Sequence, residues 1–216
     1  MDTVNTTMDE AALSRRCLAA TKARDSVIRG SSHSQELTLL AIVLLFSVVP
    51  SVLLFAQQQH PTESQVKAAY LYNFGKFVRW QSDRVTTPDM LICVLGKDPF
   101  GPILDATVKG ESIDGRKLTV KRISKVQDAT QCSILFISSS EESQLGPILV
   151  AAQRFGALTV SDIPRFAEHG GVIGFVSQQD KIRFEVNRDA AEKSHLALSS
   201  ELLKVASRLF NKVPES

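Results

Sequence analysis

Two short uncharged runs constrain the fold of this chain most: residues 90–95 (MLICVL) and 133–138 (SILFIS). They are apolar at consecutive positions, not alternate ones. A strand with that pattern is buried on both faces, as happens in a mainly parallel sheet covered by helices. The segments around the runs supply the helices and turns. Residues 62–80 (TESQVKAAYLYNFGKFVRW) read as an opening helix, with Thr62 and Gln65 at capping-box spacing. At about 100° per residue, Ala69, Trp80, Asn73, Val66, Phe77, Tyr70 and Phe74 share one face. Val78 and Leu71 widen that face past half the circumference. So wide an arc suits a helix between two layers, or one that offers an apolar edge to another protein.

After the first run, Asp98 suits an N-cap and Pro99 the first helical position, which predicts a helix over 99–107. The sequence GKDPFG lacks Walker spacing and a Lys-Ser/Thr pair, so it reads as a plain βα turn and not a phosphate loop. Residues 110–115 read as a loop. Residues 116–123 (RKLTVKRI) alternate and predict a strand near an edge. Ser139 and Glu142 have capping-box spacing and open a helix that runs to about Phe155. Residues 157–160 (ALTV) form a strand ended by Ser161-Asp162, and 164–168 a short helical turn. Residues 172–176 (VIGFV) and 181–186 (KIRFEV) pair as a hairpin through Gln178-Gln179-Asp180. Asn187 caps a last helical region through Phe210, with a break at Leu198-Ser199. This alternation predicts an α/β fold: a three-layer sandwich with a mostly parallel sheet and an antiparallel edge hairpin, over residues 62–212.

The formal charge of the 216-residue chain is +2. That balance argues against nucleic acid as a partner. Residues 1–36 are polar, mixed in charge and aperiodic, and read as disordered or as an extension ahead of the true start. Residues 37–56 (LTLLAIVLLFSVVPSVLLFA) are uncharged and about long enough to cross a bilayer, although Pro50 interrupts them. Two readings stay open: a signal peptide cut after Ala56, and an uncut membrane anchor. Arg24 and Arg29 flank the run upstream, so both readings export the domain that follows. No cysteine stands just after the run, which argues against a lipoprotein.

Cys93 lies mid-strand and Cys132 at the mouth of the next buried strand, so adjacent strands would bring them together. In an exported protein they are a disulfide candidate, with two buried free thiols as the alternative. His60, His169 and His195 are scattered, so no metal site is expected, nor any cofactor. Ser138, Ser139, Ser140 and Asp162 lie at strand carboxyl ends, where α/β proteins place sites. No G-x-S-x-G elbow occurs, and helix capping accounts for Ser139 and Asp162. Arg183, Glu185 and Arg188 read as a solvated ion network, with anion or small-ligand binding by Arg183 and Arg188 as the alternative. No enzyme is expected.

The strings VKAAYLYNFGKFVRW, LICVLGKDPFG, CSILFISSSE, LTVSD, FAEHGGVIGF and IRFEVNRDAA, in that order, resemble the YfiR-like family of exported bacterial proteins over residues 64–210. The resemblance implies a periplasmic binding protein that represses an inner-membrane diguanylate cyclase by binding its periplasmic region. Cyclic-di-GMP and biofilm formation would fall. Tyr70, Tyr72, Phe74, Phe77 and Trp80 are the expected partner surface, or the interface of a homodimer. The resemblance extends to the Cys93 and Cys132 pair, and a second cysteine pair found in some members falls here on Ala167 and Gly174. The competing function is a periplasmic small-ligand sensor that uses the strand-end crevice.

Overall fold

The computed structural model describes residues 60–81 and 88–211. The expectations for residues 1–36 and 37–56 lie outside them. The strands are β1 (Val78–Trp80), β2 (Asp89–Leu95), β3 (Ser112–Ile113), β4 (Arg116–Ile123), β5 (Ile134–Ile137), β6 (Leu158–Ser161), β7 (Ile173–Gln178), β8 (Lys181–Asn187), β9 (Leu196–Leu198) and β10 (Arg208–Phe210). The helices are α1 (Glu63–Phe77), α2 (Pro102–Val108), α3 (Leu145–Phe155), α4 (Arg188–Lys193) and α5 (Ser200–Val205).

The main sheet has the order β10-β8-β7-β6-β5-β2-β4-β3. From β7 through β4 every neighbour is parallel. β8 turns back antiparallel to β7, β10 runs parallel to β8, and β3 is antiparallel to β4. The two uncharged runs become β2 and β5, next to each other at the centre. Their alternate residues face opposite layers. Ile92, Val94, Ile134 and Phe136 join Leu71 and Phe74 of α1 and Leu104 and Val108 of α2 in one core. Cys93, Leu95, Leu135 and Ile137 join Ile148 and Ala152 of α3 in the other. The result is the expected three-layer sandwich with an antiparallel edge.

Thr62 caps α1 through the predicted box: its Oγ1 accepts from the Gln65 amide at 3.3 Å, and Gln65 Oε1 accepts from the Thr62 amide at 2.7 Å. The helix ends at Phe77, not Trp80. β-Branched Val78 starts β1, which pairs antiparallel with β9, so tertiary pairing overrides helical continuation. Helix α2 begins at Pro102 and not Pro99. Asp98 Oδ1 accepts from the Phe100 amide at 2.7 Å, which closes a turn. Gly101 then adopts φ 53°, a left-handed setting that precludes an earlier helical start.

Ser138, one residue before the expected cap, accepts from the Ser140 amide. It opens a 3-10 turn over Ser139–Gln144, and only then does α3 begin. Residues 164–168 are turns and not helix. The last region is more broken than expected. α4 and α5 are separated by β9, and β10 ends the main sheet. Asn187 does cap α4, accepting from the Ala190 amide at 2.9 Å.

Cys93 and Cys132 are disulfide-bonded, with Cα atoms 5.8 Å apart, which settles the open choice against free thiols. The bridge lies in the α3-side core, where Cys93 is fully buried. It closes a loop of 39 residues, which by chain entropy is worth about 4 kcal/mol. The Cys93→Ala/Cys132→Ala variant is therefore expected to lose about 4 kcal/mol in urea unfolding. An unchanged midpoint would show that packing alone holds β2 against β5.

Candidate functional site

The sheet reverses its winding between β2 and β5. From β2 the chain crosses through α2 to β4 on one side, while β5, β6 and β7 extend on the other. The loops leaving β2 and β5 meet there, at the switch point where α/β sheets commonly hold ligands. Here the two loops close on each other. Ser140 Oγ accepts from the Lys97 amide at 3.0 Å and donates to Glu141 Oε1 at 3.0 Å. A Cβ on Gly96 would stand 2.4 Å from Ser140 Oγ and 2.6 Å from Glu141 Oε1. Gly96 also has φ 84°, the left-handed setting that favours glycine. At the expected crevice the two loops are thus tied together by their own side chains.

Asp162, at the carboxyl end of β6, is tied to α1. Lys67 of that helix is only 7% exposed, and its Nζ donates to Asp162 Oδ2 at 2.6 Å. The same ammonium stands 2.5 Å from Glu63 Oε1 and 5.9 Å from the centroid of the Phe175 ring. Burial by itself would lower the Lys67 pKa. The hydrogen bonds to Asp162 and Glu63 outweigh it and hold the pKa above the ordinary lysine value. A raised lysine pKa gives stability that is complete below the unfolded value and is lost as pH rises through the folded one.

The five aromatic residues expected to form one surface are divided. Phe74 is 1% exposed and belongs to the core, with its ring 5.1 Å from Phe184 and 5.9 Å from Phe175. Tyr70 is half-buried against Phe74, Phe175 and Phe184. Trp80 is half-buried, and its Nε1 donates to Ser133 O at 3.2 Å. Tyr72 donates to Glu111 Oε2 at 2.5 Å, with the Lys76 ammonium 3.9 Å from its ring centroid. Phe77 is the most exposed of the five, at 37%. Beside it lies a cleft of about 260 Å³ lined by Lys76, Arg79, Leu198 and Glu201.

Arg183 and Arg188 are both exposed. Arg188 Nη1 donates to Asn211 Oδ1 at 3.4 Å. Among the described residues no ion pair joins Arg183, Glu185 and Arg188. A groove of about 720 Å³ lies elsewhere, between α3 and α4, and is lined by Val150, Gln153, Lys193 and His195 among others. No periodicity or motif marks those four residues in the sequence. Positions 167 and 174 are neighbours: a Cβ built on Gly174 falls 3.8 Å from the Ala167 Cβ. That separation suits a disulfide.

These features define a three-layer α/β domain whose switch point is closed and whose accessible features are surface grooves and one exposed aromatic ring. The chain belongs to the YfiR/HmsC-like family, whose profile matches residues 64–207. This is a family of periplasmic regulators and not a catalytic one. No curated protein matches the chain. Among solved structures, a conserved domain protein from Vibrio cholerae O1 biovar El Tor aligns at 13% identity, over 58% of this chain and 56% of that one, with a TM-score of 0.44. An ABC domain in complex with L-Trp from Streptococcus pneumonia aligns at 10% identity, over 66% and 60%, with a TM-score of 0.45. An open, ligand-free substrate binding protein with adhesive properties from Clostridium difficile aligns at 13% identity, over 57% and 55%, with a TM-score of 0.37. The chain thus spans between 55% and 60% of the length of these structures. Among the described residues no helix is long and apolar enough to cross a membrane.

Three variants test this geometry. Asp162→Ala leaves the buried Lys67 with only the exposed Glu63, and is expected to cost about 2 kcal/mol in urea unfolding at neutral pH. Asp162→Asn, which keeps an acceptor, should cost less. In Ala167→Cys/Gly174→Cys, a second bridge should form on oxidation, seen as a mass about 2 Da lower by intact mass spectrometry, one hydrogen per sulfur.

Proposed function

We propose that this protein is a periplasmic regulator that represses an inner-membrane diguanylate cyclase by binding its periplasmic region, so that cyclic-di-GMP and biofilm formation fall. The observation that carries this reading is the family match across residues 64–207, nearly the whole described domain. The hydrogen bonds that tie the two switch-point loops together through Ser140 support action through the outer surface. The contact surface in this reading centres on Phe77. An exposed aromatic ring beside a shallow cleft, rimmed by Lys76 and Arg79, has the make-up of an interface anchor with a polar rim. Phe74 supports it from the core and does not touch the partner.

A small-ligand sensor is the second reading. Its support is the α3–α4 groove, whose volume of about 720 Å³ is within the range of small-molecule sites. Arg183 and Arg188 line no part of that groove.

The test is binding of the full chain to the cyclase's periplasmic region in lipid nanodiscs, with cellular cyclic-di-GMP as the second readout. Phe77→Asp should weaken binding at least tenfold and raise cyclic-di-GMP, with the melting temperature unchanged. Phe74→Ala is the contrasting control, since emptying that core position costs about 3–5 kcal/mol and acts through stability. Full binding by Phe77→Asp would remove the Phe77 surface from the reading. No binding by the folded wild-type protein would favour the ligand sensor.

A further inference from the structure

Among the described residues, the outer edge of β4 is open beyond its first residues. β4 pairs with β2 along most of its length, from Asp89↔Lys117 to Leu95↔Ile123. On its other side β3 covers only Arg116 and Lys117. No other described strand pairs with that edge. One bond shows which backbone groups point outward: the Leu118 amide donates to Glu111 O at 3.1 Å, across the open side. Ile123 O accepts from the Gly96 amide at 3.2 Å, on the β2 side. Backbone groups alternate along a strand, so the amides and carbonyls of Val120 and Arg122 face out, as those of Leu118 do.

The charge on this strand is one-sided. Residues 116–125 (RKLTVKRISK) hold five basic residues and no acid. Two of the five are committed. Arg122 is held by Asp98 and Asp105, and Arg116 donates to Asp89 O at 2.7 Å. Lys117, Lys121 and Lys125 are exposed, and none has an ion-pair partner among the described residues. The register sets Thr119 beside Leu91 and Lys121 beside Cys93. Lys117, Thr119 and Lys121 therefore lie on the sheet face away from α1 and α2.

We propose that the open edge of β4 binds an extended acidic segment of a partner protein by strand addition. Val120 and Arg122 supply the main-chain hydrogen bonds, and Lys117 and Lys121 select carboxylates on one face of the added strand. Charge decides the occupant. In a second copy of this chain, antiparallel pairing through the outward groups of Val120 and Arg122 centres on Lys121 and sets the Lys121 side chains of the two copies against each other, a like-charge contact that opposes pairing. Lysines guard exposed edges against self-association in this way, and the same charges admit an acidic strand. The inference deepens the regulatory reading, on which it rests for the existence of a protein partner, and it names a surface separate from Phe77.

The probe is a fluorescent decapeptide that alternates Glu and Thr, titrated by anisotropy against the full chain in detergent at low salt. Wild-type protein should bind saturably, and the amides of Val120 and Arg122 should gain protection from hydrogen exchange. Val120→Pro removes an outward amide at an edge position that tolerates proline, and should weaken binding at least tenfold with melting unchanged. Lys117→Glu/Lys121→Glu should reject this peptide and accept one that alternates Lys and Thr. This swap and the exchange measurement decide the matter if Val120→Pro does not fold. Absence of saturable binding by wild type overturns the proposal. So does equal binding by wild type and a folded Val120→Pro, or capture by phosphatidylglycerol vesicles that is indifferent to Val120→Pro, which would assign the lysines to a lipid surface. A dimer in light scattering that Val120→Pro dissociates would assign the edge to a second copy and overturn it too. The peptide assay contains no cyclase. Peptide binding without cyclase binding keeps this edge and removes the regulatory reading, and the opposite result does the reverse.

Discussion

Burial of β2 and β5 on both faces is the condition on which the remaining architecture depends. A strand without a solvent face needs helices above and below it, and it needs hydrogen-bonding neighbours on both sides. α1 and α2 meet the first need on one face and α3 on the other. β4 and β6 meet the second. The disulfide lies within this arrangement, between a residue of β2 and the entry to β5, and so it reinforces the pairing at the centre. Its burial also keeps it out of reach of soluble thiols while the domain is folded.

The same winding that creates a switch point usually creates a ligand site, yet here the geometry leads outward. Gly96 lets the β2 loop approach the Ser140 and Glu141 side chains, and Lys67 spends its charge on Asp162 and Glu63. Groups that might have faced a ligand satisfy one another. What is left to a partner is the outer surface: an aromatic ring at the end of α1, a groove beside α3, and a cationic strand edge.

Much of the fold was legible in the sequence because local and tertiary preferences agree. The runs 90–95 and 133–138, the Thr62–Gln65 box and the 178–180 turn all state in sequence what they become in space. Gln179 and Asp180, for example, take the positive φ angles of a two-residue hairpin turn. The buried face of α1 was misjudged because apolar periodicity cannot count Lys67 or Gly75. Lys67 is buried by virtue of its carboxylate partners. Gly75 is buried because its missing side chain admits Ile113 and Met90, the former to within 2.8 Å of where a Cβ would stand. Those two residues rotate the inner face onto Leu71 and Phe74 and leave Phe77 outside. β9 and β10 were illegible for another reason. LAL and RLF carry too little pattern to declare a strand, and each becomes one only through its partner, β1 or β8. The candidate site was read less well than the fold, since exposure depends on those same packing details.

The pairing of β1 with β9 has a kinetic side. Val78 meets Leu198, and almost the entire domain lies between them. α1 also rests against α5, so the first of the described helices has contacts with the last of them. Contacts of such long separation form slowly, because loop-closure entropy is spent before they stabilise anything. The layer that contains α1 therefore stays incomplete until the C-terminal residues have been delivered. The growing chain therefore stays open until its synthesis is nearly complete.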